Sequence, residues 1–336
     1  MNDVAINQKE YEKVIATFLQ EVRTSYIFED VAETIIQEIN QKKEEKNYQN
    51  IQTGTELCEV LNSQLFEISK DKHLRISFSS EKQPIIKDPM NDPKWLKEHQ
   101  QNSSNDNFGF YKLERMPGNV GYIDLRSFAF PQYGGETAML ALNFLSNTDA
   151  LIFDLRKNIG GHPGMVALLI SYFLNSDSVH PTHIGDIYWK NEGMTQQYWS
   201  YPYLPGRRYI DKPVYILTSS NTFSGAEQFA YEMKNMKRAI VIGETTMGGA
   251  NPAPPTPLNE YFTAFIPSGK AISPITNENW EGKGVVPYIQ APQEEAREVA
   301  YTNALQVIIE KEESKGDKGK SIKEAKRILN ERNGIV

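Results

Sequence analysis

The chain has 336 residues, of which 39% are apolar, so it can bury a substantial core and is long enough for a main domain plus a smaller lobe. A formal charge of -7 argues against nucleic acid as the main partner, because phosphate binding needs a basic face. One cysteine, Cys58, excludes an internal disulfide, and no segment is apolar for long enough to span a bilayer. The first ten residues lack the basic start and apolar run of a signal peptide, which predicts a cytoplasmic chain, or an exported one if a natural N-terminus has been trimmed.

Three amphipathic helices are predicted first. Tyr11, Val14, Ile15, Phe18, Leu19 and Val22 form one apolar face, and Val31, Ile35, Ile36 and Ile39 form a second. The third helix starts at Thr53-Gly54-Thr55-Glu56, a capping-box pattern, and carries Leu57, Val60, Leu61, Leu65 and Ile68, with Cys58 as a small buried neighbour. Next, Leu74, Ile76 and Phe78 alternate with Arg75, Ser77 and Ser79, the pattern of a half-buried strand that begins at His73 and leaves this histidine on the polar face. An imidazole near its ordinary pKa there can take and return a proton at physiological pH. From Lys82 to Asn107 the composition is polar and proline-containing, which predicts a loop or lid.

The apolar run Leu151 to Leu155 reads as a strand that enters a polar turn ending in Gly160-Gly161. Paired glycines allow close backbone approach, and the helix predicted from Met165 would leave N–H groups near its start, so Gly160 or Gly161 is a candidate oxyanion donor. Asn175 to Asp211 reads as irregular, with Trp189, Tyr198, Trp199, Tyr201 and Tyr203 either lining a pocket or covering the core. His180 and His183 have a ligand-like spacing without an accompanying acidic or cysteine cluster, so no metal site is expected. Pro213 to Leu217 is a further strand, and Ala226, Phe229, Ala230 and Met233 recur at helical spacing after it. Between them stands Ser224, at a strand-to-helix corner. A serine at such a corner either caps the helix or, exposed to the positive helix end with Gly225 as a second oxyanion donor, serves as a nucleophile.

Four ordered segments carry a resemblance: Leu151 to Gly161, Thr218 to Glu227, Ile242 to Ala250 and Trp280 to Pro287. Together they resemble the core motifs of the tail-specific (C-terminal processing) serine proteases, and the N-terminal part resembles the helical lobe of interphotoreceptor retinoid-binding protein. The resemblance implies an α/β fold, a ClpP/crotonase-like spiral of ββα units with an N-terminal three-helix lobe, and Ser224 as nucleophile. It divides the chain into a helical lobe (1–70), a strand with the histidine plus loop or lid (71–107), the protease core (108–292) and a helical tail (293–336). Many relatives use a lysine base where this chain has Gly249, which offers no side chain to accept a proton.

Asp71-Lys72-His73-Leu74 is similar to the Asp-x-His-Leu segment of the retinoid-binding-protein-like branch, and tricorn-type relatives place a histidine base there. Glu281, before Gly282-Lys283-Gly284, stands where that branch carries an orienting glutamate. The implied triad is therefore Ser224, His73 and Glu281, with Gly225, Gly160 and Gly161 around the oxyanion and no cofactor. His162, next to the glycine pair, is the rival base. Lys72 replaces a serine of the tricorn tetrad, and Tyr288 replaces a usual aspartate. The 82–107 segment is too short for the PDZ domain that grips protein tails in typical relatives.

The expected activity is that of a serine hydrolase acting on peptides or protein segments, with no nucleic-acid or membrane partner. Two other readings are a non-catalytic binding module for a retinoid, fatty acid or peptide, and a hydrolase of non-peptide esters. Past Pro292 a helix carrying Ala296, Val299, Ala300, Leu305, Val307 and Ile308 is predicted, then a charged linker at Lys315 to Lys320, then an amphipathic end with Ile322, Ala325, Ile328 and Leu329. The sequence leaves the oligomeric state open.

Overall fold

The computed structural model describes residues 7–86, 89–175, 177, 179–314 and 320–332. In chain order the elements begin with α1 (Gln8–Ser25), α2 (Glu29–Glu44), α3 (Gly54–Ser69), β1 (Arg75–Phe78), α4 (Pro93–Asn105), β2 (Phe110–Met116) and β3 (Val120–Leu125). They continue with α5 (Pro131–Phe144), β4 (Ala150–Asp154), α6 (Pro163–Ser171), β5 (His183–Trp189), β6 (Met194–Trp199), β7 (Val214–Thr218) and α7 (Gly225–Asn235). The chain closes with β8 (Ile240–Gly243), β9 (Pro255–Pro257), β10 (Phe262–Phe265), β11 (Gly269–Ile272), β12 (Ile289–Gln290), α8 (Ala296–Ser314) and α9 (Lys320–Arg332). Among the described residues, no helix is long and apolar enough to cross a membrane. The charged linker expected at Lys315 to Lys320, apart from Lys320 itself, and most of the first ten residues lie outside the described residues.

Two compact units divide these elements. The first takes the described residues of Met1–Lys97, Asp186–Gln196 and Gly249–Ile272. Its helices follow the predicted stripes: Val14, Phe18, Val22, Ile35, Ile39, Leu57, Leu61 and Leu65 are buried in one core with Leu74, Ile76, Phe262 and Ala264. Capping boxes start α1 and α3, where Asn7 pairs with Glu10 and Thr53 with Glu56. Strand β1 is an edge of the antiparallel sheet β1-β10-β9, in register from Arg75↔Phe265 to Phe78↔Phe262. Asn62 of α3 holds Ile76 by both main-chain groups, its Nδ2 donating to the carbonyl at 2.9 Å and its Oδ1 accepting from the amide at 2.7 Å. That side chain satisfies backbone groups of an edge strand that a further strand would otherwise pair.

The second unit takes the described residues of Glu98–Gly185, Gln197–Gly248 and Ser273–Val336. Its sheet runs β12-β8-β7-β4-β3-β2, parallel except for the antiparallel edge β2. Every residue of β4 and β7 is buried, as a sheet covered on both faces requires. On one face Ile152, Tyr215, Leu217 and Ile242 meet Ala300, Ala304, Leu305 and Ile308 of α8. On the other, Phe153 packs on Phe229 of α7, with ring centroids 5.2 Å apart.

Two predicted loops contain regular structure. Within 82–107, Asp92 Oδ1 accepts from Trp95 N at 2.7 Å and Pro93 opens α4, a helix with no buried residue. Within 175–211, β5 and β6 form a hairpin whose turn places Gly193 at φ +61. Of its expected pocket or core aromatics, Trp199, Tyr201 and Tyr203 are exposed.

Candidate active site

Because β4 pairs in parallel with β7, and β7 with β8, the loops leaving their carboxyl ends are neighbours. Those loops are 155–162, 219–224 and 244–248, and hydrogen bonds lock the first to the second. Ser219 Oγ donates to the Arg156 carbonyl at 2.6 Å, Thr222 Oγ1 donates to the Leu155 carbonyl at 2.9 Å, and Phe223 N donates to the Asn158 carbonyl at 3.1 Å. Asn158, fully buried, also donates through Nδ2 to the Leu125 carbonyl at 2.9 Å and accepts Gly160 N at Oδ1 at 2.8 Å.

Ser224 sits at the corner before α7 with φ +54 and ψ -120, a backbone region that non-glycine residues rarely occupy. The glycine pair lies directly against it. A Cβ added at Gly160 would fall 2.8 Å from both Gly225 N and Ser224 Cβ, and one added at Gly225 would fall 3.1 Å from Gly161 N. Only backbone fits in that space. The Gly160 N–H donates to Asn158 Oδ1, and Gly161 is the exposed residue of the pair, its N lying beside Gly225. Ser224, Gly225, Gly160 and Gly161 are thus brought together within the second unit.

Glu281 belongs to the same unit, half-buried, at the tip of a tight turn. Its N donates to Asn279 Oδ1 at 3.0 Å, while Lys283 N and Gly284 N donate to the Trp280 carbonyl at 3.2 and 2.9 Å. Trp280 is buried against Tyr231 of α7, with ring centroids 5.3 Å apart, and anchors that turn. Gly282 N donates to the Gly248 carbonyl at 3.0 Å.

His73 belongs to the first unit, and its surroundings correct the expected polar face. It precedes β1 and is only 7% exposed. Asp71 Oδ1 accepts His73 N at 2.9 Å and Asp71 Oδ2 accepts the Tyr26 hydroxyl at 3.1 Å, a local turn that ends at His73, before β1 begins. Burial, then the neighbouring Arg75, push the imidazole pKa down to about 4 instead of leaving it near its ordinary value. The ring is therefore neutral at pH 7. Burial raises the Asp71 carboxyl, opposed by its hydrogen bonds from His73, Tyr26 and Leu74.

The rival His162 is the N-cap of α6. Its Nδ1 accepts Gly164 N at 3.0 Å and its ring lies 4.5 Å from that of Phe130. An accepting Nδ1 leaves the proton of the neutral ring on Nε2, the wrong tautomer for a base acting through Nε2. His180 lies beside Asp177 at 3.4 Å, and His183 stacks on Trp199 at 4.5 Å.

Sequence reasoning passed over Glu227, which is fully buried three residues after Ser224. Its Oε2 accepts Ser224 N at 2.8 Å, and its Oε1 accepts Thr246 Oγ1 at 2.5 Å and Gly248 N at 2.6 Å. The signal was the Ser-x-x-Glu spacing of a capping box.

Comparison with known proteins yields two family matches. The profile of peptidase family S41 matches residues 119–291, and that of the N-terminal domain of Peptidase_S41 in eukaryotic IRBP matches residues 3–108. Among solved structures, a putative peptidase from Parabacteroides merdae ATCC 43184 aligns at 17% identity over 84% of this chain and 90% of that one, with a TM-score of 0.57. The tricorn protease aligns at 13% identity over 89% of this chain and 37% of that one, with a TM-score of 0.52. A putative S41 protease from Bacteroides fragilis NCTC 9343 aligns at 19% identity over 55% of this chain, with a TM-score of 0.48, and this chain spans 51% of its length.

Proposed function

We propose that this chain, which belongs to peptidase family S41, cleaves peptides or protein segments through an acyl-enzyme on Ser224. Membership makes it a serine-type peptidase. The observation that carries the nucleophile assignment is the strained Ser224 corner held against Gly160 and Gly161.

His73 takes the proton as Ser224 Oγ attacks the scissile carbonyl carbon, and the carbonyl electrons move onto oxygen. The N–H groups of Gly225 and Gly161 bind that oxyanion, while Gly160 keeps the space open for it. On collapse the C–N bond breaks, and His73 returns the proton to the leaving amine. Water then repeats the sequence to release the acid and free the serine. A ring that resists protonation down to about pH 4 is a weak base, so the forming imidazolium needs an anion. Glu281 supplies it, and fixes the tautomer. Gly249 provides no lysine for the alternative dyad.

The test is labelling by a fluorophosphonate probe in the wild type and in Ser224→Ala, His73→Gln, Glu281→Gln and His162→Gln. Labelling vanishes in Ser224→Ala and slows by about 100-fold or more in His73→Gln, the usual worth of a general base. Undiminished labelling of Ser224→Ala, or silencing by His162→Gln in place of His73→Gln, defeats the assignment. Cleavage of a mixed peptide library by the wild type, absent in Ser224→Ala, tests the substrate class.

A further inference from the structure

An isolated buried carboxylate is costly, and Glu227 is wholly buried in the first turn of α7. Its two oxygens meet three donors that belong to the nucleophile corner and the following loop: Ser224 N, Thr246 Oγ1 and Gly248 N. The positive end of α7 favours the anion at that place. Thr246 and Gly248 in turn hold the turn that carries Glu281, since Val285 N donates to Thr246 Oγ1 at 2.7 Å and Gly282 N donates to the Gly248 carbonyl at 3.0 Å. One side chain therefore links the backbone of Ser224 to the loop on which the Glu281 turn hangs.

We propose that Glu227 is a positioning residue for the acylation step, fixing the Ser224 corner in register with the 246–248 loop; the proposal rests on the reading of Ser224 as nucleophile. The Glu227 carboxylate binds the Ser224 amide. It acts through the Ser224 amide, and so through the direction of Oγ and of the adjoining Gly225 N–H. The charge alone predicts the opposite effect. A negative group one turn from the oxyanion donors opposes the developing oxyanion, so a purely electrostatic role would make its neutralisation speed the reaction. A geometric role makes neutralisation slow it, because a glutamine amide turns one acceptor into a donor that faces N–H or O–H groups.

The experiment measures fluorophosphonate labelling kinetics in wild type, Glu227→Gln, Thr246→Val and Ser224→Ala, separating the maximal rate (kinact) from the half-saturating probe concentration (KI) and recording the final stoichiometry. Glu227→Gln is expected to lower kinact by about 100-fold with KI within a few-fold, the scale of a misplacement near 1 Å. Thr246→Val, which removes one donor and keeps the carboxylate, is expected to lower kinact by roughly 10-fold on the same reasoning. A merely structural role would lower the labelled fraction or the melting temperature and leave the kinact of the labelled fraction unchanged. That result, or a kinact equal to or above wild type in Glu227→Gln, overturns the proposal. Should Glu227→Gln not fold, an unchanged kinact in Thr246→Val overturns it equally. A wild type that is not labelled at Ser224 instead brings down the nucleophile reading and this inference with it.

Discussion

Acid should destabilise this protein through His73 by an amount set by its burial. The imidazole is pushed from its ordinary 6.5 down to about 4 in the fold, first by desolvation and then by Arg75. The folded chain thus holds the neutral ring, while the unfolded chain protonates near 6.5. The stabilisation is complete above that pH and is lost as the pH falls from 6.5 through 4. Two and a half pKa intervals correspond to about 3 kcal/mol in all, of which roughly 2 kcal/mol is gone by pH 5. Urea denaturation of the wild type and of His73→Gln at pH 7, 6, 5 and 4 isolates this contribution. His99 and His162, whose pKa values burial also lowers, are common to both chains, as is Asp71 with its raised carboxyl. The variant starts less stable and loses less on acidification. Parallel pH dependences in the two proteins, or an NMR titration of the His73 ring with a midpoint at 6.5 or above, would refute the reasoning.

Gly160→Ala puts a Cβ 2.8 Å from backbone and side-chain atoms of the nucleophile corner at φ +106. Strain of about 1–3 kcal/mol is expected in thermal melts, with probe labelling slowed by about 100-fold; wild-type labelling would show that the glycine is dispensable. Asn158→Ala strands the Gly160 amide and the Leu125 carbonyl, so urea denaturation should register a loss of roughly 3 kcal/mol. Tyr26→Phe removes the hydroxyl bond to Asp71 and should cost about 1 kcal/mol in the same assay. A several-fold slower labelling would accompany it if Asp71 holds His73 in place, and an unchanged rate would detach Tyr26 from the site.

The helical lobe was legible because its burial is one-sided: Tyr11 to Val22 repeats every three or four residues and that stripe is the one the structure buries. Strands β4 and β7 were legible as unbroken apolar runs, since both faces of their sheet are covered. Helix α4 has no fully buried residue, so its apolar period is weak, and Asp92-Pro93 marks its start. Strand β6 is exposed along most of its length and leaves no alternation to read; the turn glycine, Gly193, was its clearest trace. For His73 the alternation itself misled, because this residue belongs to the Asp71 turn and precedes β1, where the strand period begins. Glu227 went unnoticed because a glutamate in a first helical turn looks solvated, and burial depends on the loop after β8 arriving from elsewhere in the chain.

The torsions at residue 224 belong to the territory of glycine, yet a β-carbon is present there, at an expense of about 1–3 kcal/mol. Any process that rewarded heat resistance alone would erase the hydroxyl-bearing side chain, since its removal relaxes the chain. A sequence that bears serine at this spot is therefore less robust than it has means to be, and that forgone robustness is itself a mark of use.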